Sequence, residues 1–338
     1  MFILLTNHRY RLEPGREVDR MESNLKDHVV KTPRGYVSMA TLNEQVYRKF
    51  GYEIVKPTLP VPTVRMIEEP TCDTIFADWL RISQEPQPDE PPKEIPDELL
   101  DQFLMYNYSA VKPWYFNEKF TAVQTPRKWN RVGEMMKDPK SFLGYGKEGG
   151  SVYNAMRKHR LDGKRGVFIG SLTPWVEVIA LFFGAAETLT VEYSPIEIQK
   201  EYQNRMSAIL PAEFVENWKK YEGTFDFAAS FSSIEHSGLG RFGDPIDPIG
   251  DLREMLKIKC LLKPGGLLFL GFPLGTDSLQ FNAHRIYGSV RLAMIFFGFE
   301  WIGTFSGDQY QPIDLNSTLL NSPQGFDHFQ HTMVLQKL

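Results

Sequence analysis

Residues 231–251, FSSIEHSGLGRFGDPIDPIGD, bring a histidine, several carboxylates and an arginine together in one short stretch. His236 titrates near neutral pH and suits proton transfer, and Asp244 could accept a proton in the same way, so these two are the predicted catalytic residues. The predicted substrate-binding residues are other charged side chains of the stretch, Glu235, Arg241 and Asp247. A structural alternative stays open, in which the charges and glycines only hold a turn-rich loop.

A second set of candidates follows the apolar run GVFIG, which ends at Gly170. A glycine at this place lets the backbone approach a ligand closely, and a helix that follows offers free N–H groups. Glu192 lies 22 residues after Gly170, at the end of the next apolar run. An acid there can accept hydrogen bonds from the ribose hydroxyls of a nucleoside cofactor. Gly170, Ser171 and Glu192 are therefore predicted to bind such a cofactor, with a tight turn and a surface glutamate as the alternative.

The elements that must position these residues begin at about residue 150, where apolar runs alternate with helix-like segments. The predicted strands are the runs KRGVFIG, ETLTVEYSP, TFDFAASF, LLFLGFP, FEWIGTF and HTMVLQKL. The predicted helices are TPWVEVIALFFG, PIEIQKEYQNRMSAIL (195–210), the segment from Asp251 and HRIYGSVRLAMIFFG. This alternation predicts a doubly wound, mostly parallel, Rossmann-like α/β sheet with a closing antiparallel strand. Ligands of such sheets bind at the carboxyl ends of the strands, where both sets of candidates fall.

The predicted α/β domain covers residues 150–338, and the chain before it is predicted to form three segments. Residues 1–82 show weak periodicity and many charges and are interpreted as an N-terminal extension. The stretch SQEPQPDEPPKEIPDE, 83–98, reads as an extended, exposed linker because proline removes backbone donors and fixes φ. Residues 99–149 are aromatic-rich and are interpreted as a helical lead-in to the domain.

The charge and the residue patterns of the 338-residue chain argue against several classes of partner. A net charge of −4 and a pI of about 6.0 argue against nucleic-acid binding. The most apolar stretch, 290–305, is too short to span a bilayer and carries Arg291 and Glu300, so no membrane span is predicted. No metal site is predicted either, because His328 and His331 would face opposite sides of a strand.

The two cysteines, Cys72 and Cys260, are too few for a disulfide scaffold or a zinc site. Free thiols in a reducing compartment are the simpler interpretation, which leads to the expectation of a cytoplasmic protein. Cys260 stands among Ile258, Leu261 and Leu262 and is expected to be a small buried core residue.

Residues 164–338 resemble the class I S-adenosylmethionine-dependent methyltransferases in the strand GVFIG, the acidic VEYSP, the SSIEHSG stretch and the LKPGG turn. More narrowly, SIEHSGLGRFGDPIDPIGDL is similar to a methyltransferase-like family known only by a domain-of-unknown-function label. The resemblance implies that S-adenosylmethionine is the cofactor. It implies that Gly170 belongs to the cofactor loop, that Glu192 binds the ribose, and that Phe231 and Ser232 line the cofactor. It also matches Glu235 and His236 to the family's EH pair.

Three functions follow from these observations. The first is a methyltransferase that acts on a small molecule or a glycan, with His236 or Asp244 as the base. The second is a non-catalytic binding domain, which is favoured by a cofactor loop, GSLTPW, with one glycine where the usual pattern has two or three. The third is a nicotinamide-dependent oxidoreductase, against which the KPGG turn and the closing strand argue.

Overall fold

The structure is a computed structural model that describes residues 25–85, 90–118, 126–322 and 329–338. Its strands are β1 (Val29–Thr32), β2 (Gly35–Ser38), β3 (Tyr52–Lys56), β4 (Thr63–Met66), β5 (Ala110–Pro113), β6 (Arg127–Trp129), β7 (Arg165–Ile169), β8 (Glu187–Val191), β9 (Ile196–Ile198), β10 (Met206–Ile209), β11 (Phe225–Phe231), β12 (Leu262–Pro273), β13 (Ser278–Phe281), β14 (His284–Ile286), β15 (Phe299–Phe305) and β16 (Gln330–Lys337). Its α-helices are α1 (Met39–Gln45), α2 (Cys72–Gln84), α3 (Leu100–Phe103), α4 (Val132–Met135), α5 (Gly149–His159), α6 (Trp175–Phe182), α7 (Pro211–Glu216), α8 (Gly250–Leu261), α9 (Ser289–Ile295) and α10 (Ser317–Leu320).

A seven-stranded sheet in the order β10-β8-β7-β11-β12-β16-β15 forms the centre of the molecule. Strands β10, β8, β7, β11 and β12 run parallel to one another, and β16 is antiparallel to both β12 and β15. The prediction of a mostly parallel α/β sheet with a closing antiparallel strand is therefore confirmed. The predicted strands at GVFIG, TLTV, FDFAASF, LLFLGFP, FEWIGTF and HTMVLQK all occur in this sheet.

Both faces of the sheet are covered, because successive side chains of its strands enter opposite cores. Val167 of β7 joins the core that contains α8 residues such as Leu252, whereas Phe168 joins the core that contains α6 residues such as Ile179. The buried runs of β7, β11 and β12 therefore read as continuous apolar sequence, as expected for strands covered on both faces.

The helix predicted over 195–210 is wrong. The chain there forms β9, a 3₁₀ turn at Lys200–Tyr202, and β10, which pairs in parallel with β8 at the sheet edge. The sequence IEI at 196–198 alternates with a period of two, which suits a strand, and β9 pairs with β6. The helix predicted over 284–298 is shorter than expected, since His284–Ile286 form β14 and only Ser289–Ile295 are α-helical.

The two cysteines form a disulfide that joins the first residue of α2 to α8, across 188 residues of sequence. The expectation of free thiols is therefore wrong, although Cys260 is buried as predicted. Sequence spacing could not reveal the pair, because the contact depends on α2 packing against α7 and α8. A stable disulfide is typical of oxidising compartments, so the pair removes the basis for a reducing one.

The region before residue 150 differs from its predicted form. Helix α2 continues to Gln84, and Pro91 is buried, so the exposed linker does not extend over all of 83–98; residues 86–89 lie outside the described residues. In the predicted helical lead-in, 99–149, the described residues (99–118 and 126–149) form α-helix only in short pieces and at the start of α5. Strand β5 instead pairs with β13 of the later domain, and β6 pairs with β9.

Candidate functional site

A cavity of about 580 Å³ opens at the carboxyl ends of β7, β8 and β11. It is lined by all the candidate residues except one: Gly170, Ser171, Glu192, Phe231, Ser232, His236, Arg241, Asp244 and Asp247. The exception, Glu235, lies behind the wall with 1% of its surface exposed. The two sets of candidates, from separate parts of the sequence, thus face one space.

Gly170 makes the turn that leaves β7, and the turn requires a glycine. Its φ is +72°, in the left-handed region, and an added Cβ would lie 2.0 Å from Ser233 Oγ. The Gly170 N–H donates to the Val191 carbonyl of β8. The hydrogen bond fixes the turn to the end of β8, and the close approach to Ser233 brings the first loop of the site against the start of the polar stretch.

Glu192 closes the next strand and holds the Gly170 turn in place. Its Oε2 accepts the Ser171 N–H at 2.7 Å, and its Oε1 accepts the N–H groups of Tyr193 at 2.8 Å and Ser194 at 3.3 Å. A carboxylate offers about four acceptor positions, so it could accept a further hydrogen bond from the cavity. The predicted ligand-binding acid therefore also has a structural task.

Phe231 and Ser232 end β11 against an aromatic wall. The Phe231 ring lies 5.4 Å from the Tyr145 ring and 5.1 Å from the Trp175 ring, between centroids. Ser232 has a φ of +54°, rare for a residue with a side chain, and its Oγ accepts from Gln330 Nε2 at 3.1 Å. Strained backbone of this kind concentrates at functional sites, where the surrounding contacts fix it.

Glu177 of α6 is a buried acid beneath the site that the sequence analysis missed. Its Oε1 accepts from Thr190 Oγ1 at 2.9 Å, and its Oε2 lies 3.0 Å from Ser171 Oγ. Burial raises the pKa of Glu177 to about 7. A single acid within the apolar helix sequence WVEVIALFF was the available signal, because an acid in such a run needs a buried partner.

His236 is held in one tautomer at the cavity wall. Its Nδ1 lies 2.5 Å from the Ala283 carbonyl oxygen, so Nδ1 carries the proton and Nε2 has the lone pair. Burial and, next, the Arg241 guanidinium lower the pKa of His236 to about 3. The ring is therefore neutral at physiological pH and can accept a proton only weakly.

Glu235 stands behind His236, with Oε1 3.7 Å from His236 Nε2. Burial raises the pKa of Glu235 to about 8, so the carboxyl is protonated at neutral pH. Its Oε2 has no hydrogen-bond partner among the residues that the structure describes. At neutral pH the pair thus holds a protonated carboxyl beside the lone pair of a neutral imidazole.

Asp244 is the fixed centre of the polar loop. Its Oδ2 accepts the N–H groups of Gly238, Leu239 and Gly240, and its Oδ1 accepts that of Phe242 at 3.2 Å. A carboxylate with four backbone donors is engaged in holding the loop. This geometry favours the structural alternative for Asp244, and its role as a catalytic base stays a prediction.

The other two charges of the loop are also paired. Asp247 Oδ2 lies 2.7 Å from Arg253 Nε, and its Oδ1 accepts the Ile249 N–H. Arg241 Nη2 lies 2.8 Å from Glu118 Oε1, and its guanidinium stacks 4.3 Å above the Phe116 ring. Arg241 therefore presents a fixed positive charge at the cavity, while Asp247 ties the loop to α8.

Two further findings bear on partners. Within the described part of the chain, no three His, Cys, Asp or Glu side chains are grouped so that they could hold a metal ion. His331 lies on β16, and His328 lies outside the described residues. None of the described helices is long and apolar enough to cross a membrane.

The sheet order, the antiparallel strand next to its edge and the cavity at the carboxyl ends of the parallel strands define a methyltransferase-like α/β fold. The chain belongs to the family described as "Caenorhabditis protein of unknown function, DUF268", which matches residues 163–338. The predicted resemblance to a methyltransferase-like family with only such a label is therefore confirmed. No curated protein matches the chain.

Several solved structures are similar to the chain at low identity. The 1,6-didemethyltoxoflavin-N1-methyltransferase of Burkholderia thailandensis, solved with S-adenosylhomocysteine, is 13% identical over 61% of this chain and 84% of that one, with a TM-score of 0.39. The N-methyltransferase NodS of Bradyrhizobium japonicum is 10% identical over 62% of this chain and 99% of that one, with a TM-score of 0.38. A structure from Streptococcus mutans described as an S-adenosylmethionine-dependent methyltransferase is 12% identical over 55% of this chain, with a TM-score of 0.35. The chain spans 47% of that protein.

Proposed function

We propose that the protein binds S-adenosylmethionine and transfers its methyl group to a small molecule or a glycan. One observation carries the proposal: a single cavity is shared by the glycine turn after β7, the acid that ends β8 and the polar loop after β11. In a doubly wound sheet this is the place where a cofactor and a substrate meet.

The residues fit such a cofactor in size and in chemistry. A volume of about 580 Å³ lies within the range of small-molecule sites, roughly 300–1,000 Å³. Gly170 leaves no side chain between its turn and Ser233. The Glu192 carboxylate retains acceptor capacity toward the cavity, as ribose binding requires.

In this proposal each residue has a limited task. Bound S-adenosylmethionine would supply a methyl group activated on sulfur. Tyr145, Trp175 and Phe231 exclude water from the cavity and orient the reactants. His236 would accept the proton of the attacking hydroxyl or amine at Nε2, and the Glu235 carboxyl oxygen 3.7 Å away would interact with the resulting imidazolium.

The second candidate function is ligand binding without turnover. It is favoured by the weak basicity of His236 and by the four backbone donors that engage Asp244. A general base works best when its pKa lies near the operating pH, and the pKa of His236, about 3, does not meet that condition. This candidate shares the cofactor site and differs only in the absence of a methylated product.

Isothermal titration with S-adenosylmethionine, S-adenosylhomocysteine and NAD tests the cofactor. We expect both sulfur ligands to bind and NAD to fail. Glu192→Ala should weaken binding about ten-fold or more, since a hydrogen bond to a charged group contributes about 1.5–3 kcal/mol. The matched control is Glu197→Ala, whose carboxylate lies 3.9 Å from Lys128 at the surface.

The outcomes separate the alternatives. Absence of binding by both sulfur ligands would contradict the proposal, and binding of NAD alone would restore the oxidoreductase. If the sulfur ligands bind but no mixture of hydroxylated and amino acceptors gains a labelled methyl group, the non-catalytic function is favoured. A Glu192→Ala variant that binds like Glu197→Ala would remove Glu192 from the site.

A further inference from the structure

We propose that helix α2, from the region before the family-matched residues, completes the cofactor site and that Trp79 stacks on the base of the nucleoside. The inference rests on the proposed function and adds a ligand wall from outside the α/β domain. Trp79, Ile82 and Ser83 of α2 line the same cavity as Gly170 and Glu192.

The sheet order shows which end of the cavity would receive the base. Glu192 follows β8, which lies between β10 and β7. From Glu192 the cavity extends in one direction to β11 and the polar stretch with His236. In the other direction it reaches Tyr193 and then Phe214 of α7, which follows β10. A ligand with its ribose at Glu192 and its reactive end near His236 therefore places its base on the α7 side.

That side of the cavity is aromatic, which suits a planar base. Tyr193, Phe214 and Trp79 all line the cavity, and 38% of the Tyr193 surface is exposed. The Lys257 ammonium lies 4.2 Å from the Trp79 ring centroid, so it covers one face of the indole. The base would stack on the indole beside this ammonium, which also lines the cavity, and aromatic stacking does not depend on an exact hydrogen-bond pattern.

Helix α2 is fixed firmly enough to serve as a wall. One side of α2 is formed by residues that recur at helical spacing, Cys72, Phe76, Trp79 and Ser83. Cys72 is bonded to Cys260, and the Phe76 ring stacks on Trp218 with centroids 4.6 Å apart. A fixed wall contributes to affinity because it needs no ordering when the ligand binds.

The same helix is connected to the polar stretch. Asp78 Oδ2 lies 3.6 Å from Arg253 Nη1, and Arg253 Nε lies 2.7 Å from Asp247 Oδ2. The position of α2 and the position of the loop are therefore linked through one arginine. Both ends of the cavity depend on residues that this helix helps to place.

Titration of Trp79 variants with S-adenosylhomocysteine and with adenosine tests the inference. We expect Trp79→Ala to weaken both ligands about ten-fold or more and Trp79→Phe to remain near wild type. The matched control is Trp301→Ala, whose indole is on β15, away from the cavity. Ser83→Phe provides a second test that leaves Trp79 in place, because added bulk at the wall should weaken both ligands. Circular dichroism melting of each variant identifies any that fails to fold.

Each outcome decides something. If wild type binds neither ligand, the proposed function is overturned, and the inference with it. If wild type binds and both Trp79→Ala and Ser83→Phe match Trp301→Ala, the proposed function stands and the role of α2 is overturned. Loss of adenosine binding in Trp79→Ala, with recovery in Trp79→Phe, supports the inference.

Discussion

At the scale of single residues, the two neighbours Glu235 and His236 have opposite responses to pH. Burial raises the pKa of Glu235 to about 8, whereas burial and Arg241 lower the pKa of His236 to about 3. The unfolded reference values are about 4.3 for Glu and 6.5 for His. The stabilisation that comes from the raised Glu235 pKa is complete below pH 4.3 and is lost as the pH rises from 4.3 to about 8. The depressed His236 pKa instead makes stability rise from about pH 3 to pH 6.5.

The first pH prediction follows from these windows. Between pH 6.5 and 8 the His236 contribution rises by only about 0.4 kcal/mol, and the Glu235 contribution still falls. We expect the unfolding free energy of wild type to fall by about 1–2 kcal/mol over that interval because of Glu235. Glu177, whose pKa is about 7, adds a smaller loss between pH 6.5 and 7. Glu235→Gln should remove most of the decline, because a buried amide has no proton to lose. Urea denaturation at pH 6.5 and 8 measures the difference.

The control for this prediction is Glu197→Gln, an exposed acid with no comparable burial. It should keep the wild-type slope. A Glu235→Gln protein whose stability still falls as steeply as wild type would show that the carboxyl is not held protonated in the fold.

At the scale of elements, the turn after β7 allows a sharp comparison between two glycines. Gly170 and Gly163 have φ values of +72° and +70°, but an added Cβ at Gly163 meets open space, and at Gly170 it lies 2.0 Å from Ser233 Oγ. Alanine at either place costs about 1 kcal/mol of backbone strain. We expect Gly170→Ala to cost about 1–3 kcal/mol more than Gly163→Ala, since overpacking adds to the strain.

Thermal or urea unfolding of the two variants checks this prediction, and titration adds a functional reading. Gly163→Ala should bind S-adenosylhomocysteine as wild type does, while Gly170→Ala should bind more weakly. Equal stability and equal affinity of the two variants would show that the Gly170 turn tolerates a side chain.

The sequence predicted those elements that are marked by local patterns. The apolar runs of β7, β11 and β12, the single glycine at 170 and the acid at 192 each carry their signal within a few residues. The helix predicted over 195–210 failed because a short edge strand, β10, obtains its structure from pairing with β8 rather than from its own periodicity. Glu177 was missed because its partners, Ser171 and Thr190, belong to other elements.

At the scale of the whole molecule, described segments before residue 150 pack into the α/β unit. Strand β5 extends the β13–β14 sheet, β6 pairs with β9, and α2 packs on α7 and α8. None of these contacts could be predicted from composition, because each joins segments distant in sequence. The division of the chain into an extension, a linker and a domain therefore describes the sequence better than it describes the folded molecule.

The disulfide between Cys72 and Cys260 gives the last prediction at this scale. It closes 188 residues, and such a cross-link stabilises the fold mainly by restricting the unfolded chain, by about 2–5 kcal/mol. We expect Cys72→Ser and Cys260→Ser both to be destabilised, and Cys260→Ser somewhat more because its hydroxyl replaces a buried sulfur. The double variant should be no worse than Cys260→Ser, because both lack the same bond. Reductant should lower the melting temperature of wild type and leave the double variant unchanged. Because the bond holds α2 at the cavity, reduced wild type should also bind S-adenosylhomocysteine more weakly. If reductant changes neither melting temperature nor affinity, the bond does not fix α2 in solution.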